Sequence, residues 1–393
     1  MVCKYRVTTD LPMEKAAEAI AAEQSTGTWT SISTLDPSVF SGLGARITSI
    51  QGDMVTCEFP AEDFSIETGA VPQILSVIAG NLFGLGSLKG VRLEDVTFPK
   101  SILEQFKGPK FGAQGLRDAL HRPEKPLVGT IVKPKIGLNP EQTAQYVYEA
   151  GSGGLTNSKD DETLVDQRFC PIEDRTVRVA EALDRLEEEG QYMMHAVNVS
   201  TRSDRIVELA EKVQGWGARE IMVDVVTCGF GCLQALAEDP SIKVPIHVHR
   251  TMHGAFTKDP LHGINMLALT KLVRMCGGDA LHIGTLGVGK MTGGAHEDSN
   301  LRACLGGDVP YKAVMPVCSG GVYPGIVAAI VERAGMDVQI QAGGGVAGHP
   351  GGVRAGAMGM SQAVDAAYLG IDAAEYAETH PELAAALKEW GSR

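Results

Sequence analysis

From about residue 125 onward, short runs of β-branched and other apolar residues alternate with longer stretches whose apolar positions recur every three to four residues. Eight runs read as strands: VGTIVK (128–133), GLTNSK (154–159), YMMHAV (192–197), EIMVDVV (220–226), VPIHVH (244–249), ALHIG (280–284), AVMPVC (313–318) and VQIQA (338–342). Between them, NPEQTAQYVYEAG, RTVRVAEALDRLEEEG and SDRIVELAEKVQGWG carry the period of amphipathic helices. Eight strand-then-helix units in series predict an α/β chain whose C-terminal part, residues 125–393, is a (β/α)8 TIM barrel. Residues 1–115 have another texture. Strand-like MVTCEFP and helix-like PMEKAAEAIAAEQ and VPQILSVIAGNLFG follow one another without a regular repeat. They predict a small N-terminal α+β domain of ferredoxin-like type.

A barrel gathers the C-terminal ends of all eight strands on one face. Read in order, those ends offer Lys133 and Lys135; Lys159 with Asp161 and Glu162; Asn198; His247, His249 and Arg250; His282; Ser319, Gly320 and Gly321; and Gly343, Gly344 and Gly345. Polar chemistry ends nearly every strand, whereas a chance arrangement would scatter it over both ends.

Within KDDE, strand alternation puts Lys159 and Asp161 on one face and Asp160 on the other, with Glu162 following at the turn. Taken alone, the segment also fits a salt-bridged lysine on a solvated loop. Three acidic neighbours favour the protonated amine, yet a neutral amine adds carbon dioxide to become a carbamate. Carbamylated Lys159 with Asp161 and Glu162 would present three hard oxygen ligands suited to Mg²⁺. SGG after the seventh strand and GGG after the eighth sit where barrels bind phosphate, although tight turns use the same residues. Arg250 and His282 could hold a second anion across the mouth, the arginine through its planar fork. Two anion sites suggest a bisphosphorylated ligand.

Composition narrows the class without changing the picture. The 393 residues are 44% hydrophobic and 21% charged, the balance of a globular chain. A net charge of −13 with scattered basic residues argues against nucleic acid or anionic lipid as a general partner. No apolar run is long enough to span a bilayer, and the cytoplasm is the expected compartment. The eight cysteines are spread singly, without CxxC, and read as buried thiols; packing is also the reading for Cys228 and Cys232, four apart.

STGTWT preceded by Glu23, GNLFG, GTIVKPKIGL, GGL followed by KDDE, HVHRTMHGAF, LHIGT followed by GVGK, SGG, and GGG followed by GHP occur in this order along nearly the whole chain. Together they resemble the large subunit of ribulose-1,5-bisphosphate carboxylase/oxygenase (RuBisCO), especially its archaeal, form III branch. The resemblance implies carboxylation, and oxygenation, of ribulose-1,5-bisphosphate to two 3-phosphoglycerate through an enediolate. It implies a Mg²⁺ site on Asp161, Glu162 and a carbamate formed on Lys159 by activator CO2. Lys133 is similar to the residue that manages protons at enolisation and final protonation, with Lys135 supporting it at the substrate. His249 resembles the imidazole that helps deprotonate a substrate hydroxyl, and Lys290 the mobile-loop lysine that stabilises the carboxylated intermediate. Arg250, His282 and Ser319 match residues around one phosphate, and Thr28, Trp29, Gly321, Gly343 and Gly344 those around the other, Gly320 lying between. Glu23 and Asn81 match residues that reach a neighbouring subunit's site, which implies at least a homodimer. The archaeal likeness implies no small subunit.

Thr156, Thr163 and Thr292 depart from the family pattern, which usually has GGLD, DDEN and a glutamate two after the loop lysine. Two other readings stand beside carboxylation. RuBisCO-like proteins enolise or isomerise other phosphorylated sugars but commonly lack the loop lysine, which is retained here. Amidohydrolase-type hydrolases also pair HxH with a carbamylated lysine on a barrel, yet their HxH lies on the first strand rather than the fifth.

Overall fold

The computed structural model describes residues 1–28, 30, 32–289 and 297–392. In the N-terminal part, β1 (Val2–Thr8), the helix Met13–Glu23, β2 (Arg46–Gln51), β3 (Met54–Glu58), the helix Ile66–Ile78 and β4 (Gly90–Thr97) make a βαββαβ unit. Its antiparallel sheet runs β4-β1-β3-β2, the ferredoxin-like arrangement the sequence predicts. Period-two patterning explains the core: Cys3, Tyr5 and Val7 of β1 turn inward while Lys4 stays exposed. The Tyr5 hydroxyl, buried with its ring, donates to Ile78 O at 2.7 Å and ties the second helix to the sheet.

The barrel strands are β5 (Leu127–Ile131), β6 (Asn157–Lys159), β7 (Met194–Asn198), β8 (Glu220–Asp224) and β9 (Ile246–His249), followed by β11 (Ala280–Gly284), β12 (Met315–Ser319) and β13 (Gln339–Ala342). All pair in parallel, and β13 closes the ring against β5. Between β9 and β11 the chain makes β10 (Gly263–Ile264), which leaves the barrel and pairs in parallel with β4. The N-terminal sheet therefore has five strands, one of them supplied by the C-terminal part.

All eight predicted runs contain a strand, with shifted ends. GLTNSK shortens to three paired residues, because Gly154 and Leu155 instead close the preceding helix with bonds to Gly151 O and Ala150 O. EIMVDVV ends at Asp224, where Val225–Cys228 turns helical, so Asp224 stands at the strand's C-terminal end.

The barrel floor is apolar: Leu127, Met194, Ala280, Met315 and Val317 pack with Ala113 and Leu116 of the helix Gly112–Ala119 and with Leu120. Asp279 pins this plug, Oδ1 accepting from Phe111 N at 2.8 Å and Gly112 N at 2.7 Å, while Oδ2 accepts from Ile246 N at 2.9 Å. Burial pushes this carboxyl up to about 6 against those three bonds. Gly112 has φ +66°, and a Cβ there would come within 2.6 Å of Ala313 O, so the plug seats this closely only on glycine. Among the described residues, no helix is long and apolar enough to cross a membrane.

Candidate active site

Lys159 ends β6 with its side chain 1% exposed. Its Nζ donates to Asp160 O at 2.9 Å and lies 3.4 Å from Glu162 Oε2. Asp161 accepts on Oδ2 from Lys133 Nζ at 2.8 Å and on Oδ1 from the Thr163 hydroxyl at 2.8 Å. Glu162 also faces Lys135 Nζ at 3.8 Å and His249 Nε2 at 3.7 Å. Asp160 points the other way, as alternation requires. It bonds Arg175 Nε at 3.2 Å, His195 Nε2 at 3.2 Å and Asn198 N at 3.0 Å, and the far side of the His195 ring meets Ser158 Oγ at 2.7 Å.

One expectation is overturned at the lysine. Its acidic neighbours do not hold the proton in place: burial outweighs the attraction of Glu162, Asp161 and Asp224 and moves the amine below the ordinary lysine range. The two sides of Lys159 thus differ in role. Asp160 is held well below the carboxylate range by Arg175 and His195 in spite of complete burial, and it fixes the strand. Asp161 and Glu162 converge on the amine, so a carbamate on Lys159 would complete a set of hard oxygen donors that fits Mg²⁺. Thr163, where the family pattern differs, orients Asp161 from outside this set.

His249 ends β9 and is held by a residue that sequence reasoning passed over. Its Nδ1 meets Asp224 Oδ1 at 2.8 Å, the same oxygen accepting from Thr251 N at 3.1 Å. With Nδ1–H donated to Asp224, Nε2 is left as a lone-pair base toward Glu162. Burial, followed by the charge of Lys159, pushes the imidazole down and favours this neutral form. The signal for Asp224 was an acid in an apolar run, hidden because the run was read two residues too long.

Arg250, His282 and Ser319 come together on the far side. His282 Nδ1 lies 2.6 Å from Ser319 Oγ. Arg250 Nη1 is buried with no hydrogen-bond partner among the described residues. Burial lowers this guanidinium to about 10 against the attraction of Glu297, so it is still a cation at neutral pH, and its free Nη1 suits an anion. Directly after Ser319, Gly320 and Gly321 have φ +110° and +75°. A Cβ at Gly343 would lie 3.0 Å from Lys133 Cε, so the loop after β13 lies close against the lysine after β5. Gly344 opens the short helix Gly344–Ala347 beside it.

Glu23, Thr28 and Asn81 stay with the N-terminal unit. Gln24 accepts from Leu82 N at 3.2 Å and donates to Val77 O, which draws the end of the first helix to the turn at Asn81. Among the described residues, no hydrogen bond or ion pair joins these three to the barrel mouth of their own chain. Trp29, Lys290 and Thr292 lie outside the described residues. The segment before Lys290 is anchored by Gly289 N donating to Thr285 Oγ1 at 3.0 Å and Gly287 N to Glu297 Oε2 at 2.7 Å. His253, whose Nδ1 lies 2.9 Å from Thr257 Oγ1, is a hydrogen-bonded structural histidine.

Residues 112–305 and 307–390 match the family model of the ribulose bisphosphate carboxylase large chain, catalytic domain, and residues 1–102 match that of its N-terminal domain. The chain belongs to the RuBisCO large-chain family. It is 41% identical to the ribulose bisphosphate carboxylase of Methanocaldococcus jannaschii, over 96% of this chain and 94% of that one. The octameric RuBisCO of Pyrococcus horikoshii, solved as a complex with sulfate, superposes with a TM-score of 0.93 at 38% identity, over 99% of this chain and 93% of that one. The dimeric archaeal RuBisCO of Hyperthermus butylicus gives 0.88 at 38% identity, over 100% and 96%. These RuBisCO relatives share both the N-terminal unit and the barrel, so the resemblance is not confined to the fold of one part.

Proposed function

We propose that the protein carboxylates ribulose-1,5-bisphosphate to two molecules of 3-phosphoglycerate and also oxygenates it, at the site built on Lys159. The observation that carries this reading is the cluster of Asp161, Glu162, Lys133 and His249 around a fully buried amine whose pKa burial lowers from the ordinary lysine value. Carbon dioxide adds to the neutral Lys159 amine, forming an N–C bond and releasing one proton. That carbamate, with Asp161 and Glu162, would hold Mg²⁺, which when bound would supply charge to polarise the substrate carbonyl. Lys133, held beside Asp161, moves the proton at C3 and returns one at the end; Lys135 supports it at the substrate. His249, its ring fixed by Asp224, takes the proton of a substrate hydroxyl at Nε2. Arg250, His282 and Ser319 grip one phosphate. Gly321, Gly343 and Gly344, with Gly320, Thr28 and Trp29, grip the other. Lys290 supplies positive charge where the new carboxylate forms.

Glu23 and Asn81 act on a neighbouring subunit's site, so the working unit is a homodimer or an assembly of dimers, without a small subunit. Incubation of the purified protein with Mg²⁺, labelled bicarbonate and ribulose-1,5-bisphosphate should yield labelled 3-phosphoglycerate. Proton exchange at C3 without labelled product would instead mark an enolase or isomerase of the RuBisCO-like kind.

A further inference from the structure

Below the mouth, the barrel interior carries a carboxylate that the proposed chemistry does not use. Glu220 opens β8 with no exposure, and neither of its oxygens has a hydrogen-bond partner among the described residues. Among the described residues its one ionic contact is His247 Nδ1, itself without a hydrogen bond, 3.6 Å away. Ladder partners put both in the interior: Glu220 pairs with Ala196, and His247 with Met222 and with Ala280 of the apolar floor. A lone buried carboxylate costs several kcal/mol unless it is neutralised or paired, and His247 Nδ1 is the group that faces Glu220. The line continues. His247 Nε2 lies 2.8 Å from His282 Nε2, and His282 Nδ1 lies 2.6 Å from Ser319 Oγ in the mouth.

Two imidazole nitrogens at that separation hold one proton between them, so the whole line must point one way. With three protons over Glu220, His247 and His282, every bond donates outward: His247 Nε2–H to His282, and His282 Nδ1–H to Ser319. The serine hydroxyl is then free to donate to an anion. With two protons, Glu220 is a carboxylate, His247 carries its hydrogen on Nδ1 and His282 on Nε2. Ser319 must then donate inward and turns lone pairs to the mouth.

We propose that Glu220 is a positioning residue: the proton it shares with His247 sets the direction of the chain ending at Ser319, and binding of a phosphate-like oxyanion draws one proton from solvent into it. The inference rests on the reading that the mouth binds phosphate. The charged or titratable groups facing the line are Asp279 toward Glu220, and His249, Lys159 and Arg250 toward His282.

Sulfate is the probe, because it does not itself titrate near neutral pH. Calorimetry of sulfate binding to the full chain, without added metal and in buffers of different ionisation enthalpy, counts the protons taken up. The wild type should take up about one more proton per sulfate than Glu220→Gln, whose amide cannot take up the proton that the carboxylate does. Wild-type affinity should fall with rising pH, approaching about tenfold per pH unit for one linked proton, and this slope should flatten in E220Q. A packing role for Glu220 would alter stability but not the proton count. Equal counts in the two proteins overturn the proposal. Should E220Q not fold, His247→Gln breaks the same line, and a wild type that binds sulfate without proton uptake overturns the proposal by itself. Sulfate binding requires no turnover, so failure of carboxylation would leave this result standing, whereas absence of sulfate binding would remove the anion site on which both depend.

Discussion

At the scale of the residue, the decisive quantity is depth. KDDE shows a lysine among acids, and charge alone assigns it a tightly held proton. Only the fold reveals that the amine is sealed from water, where desolvation prevails over its neighbours. His249 depends on depth in a similar way, through Asp224, which is 2% exposed. Replacing Asp224 with Ala frees the imidazole and removes the acceptor that fixes its tautomer. Carboxylation should fall by about 10- to 100-fold, the usual cost of removing such an outer partner. The loss should appear mainly in kcat in steady-state kinetics; unchanged kcat would show that Asp224 does not position the base. The side chains gathered at the barrel mouth were legible as candidates because strand ends in a barrel converge. Asp224 and Glu220 were not, because an acid within or at the start of an apolar run looks the same from sequence whether it faces water or the interior.

At the scale of the element, β6 is only three residues long, yet it carries Lys159. Its C-terminal end is held by the Asp160 network: Arg175 comes from the helix Ile172–Glu188, and His195 and Asn198 come from β7. Arg175 and Asp160 are both fully buried, so removing one partner leaves the other charge uncompensated. Asp160→Ala should cost about 3–5 kcal/mol in denaturant unfolding. The folded pKa of Asp160 is depressed, so its contribution is present above the ordinary value of 3.8 and is lost as pH falls below that. Asp160→Asn should therefore unfold less steeply with acid than the wild type; an unchanged acid profile would contradict the account. The sequence located ALHIG as β11 to the residue, because that run is bounded by GGD and by Thr285. It missed β10, because two residues pairing with a distant sheet carry no periodicity.

At the scale of the molecule, the barrel and the N-terminal unit are joined through β10, while among the described residues no hydrogen bond or ion pair joins Glu23 or Asn81 to their own barrel mouth. Sequence patterning predicts both units but carries no signal for which chain's mouth these residues serve. Sites shared between two chains make a sharp prediction. Glu23→Gln and Lys159→Ala should each abolish activity as homodimers. Dimers re-formed from an equal mixture should recover about a quarter of wild-type activity, since half are hybrids and each hybrid keeps one intact site of two. A mixture that stays inactive, although hybrids form, would place Glu23 in its own chain's site.

All three scales meet at the Lys159 amine, which makes carbamate trapping the most direct test. The protein is equilibrated with Mg²⁺ and ¹³C-labelled CO2 over a range of pH, the carbamate is alkylated to a stable ester, and the labelled peptide is identified by mass. The account predicts label on Lys159, rising with pH to a half-point below the ordinary lysine value, and none there in Asp161→Ala. Label on other lysines with Lys159 unmodified would contradict it.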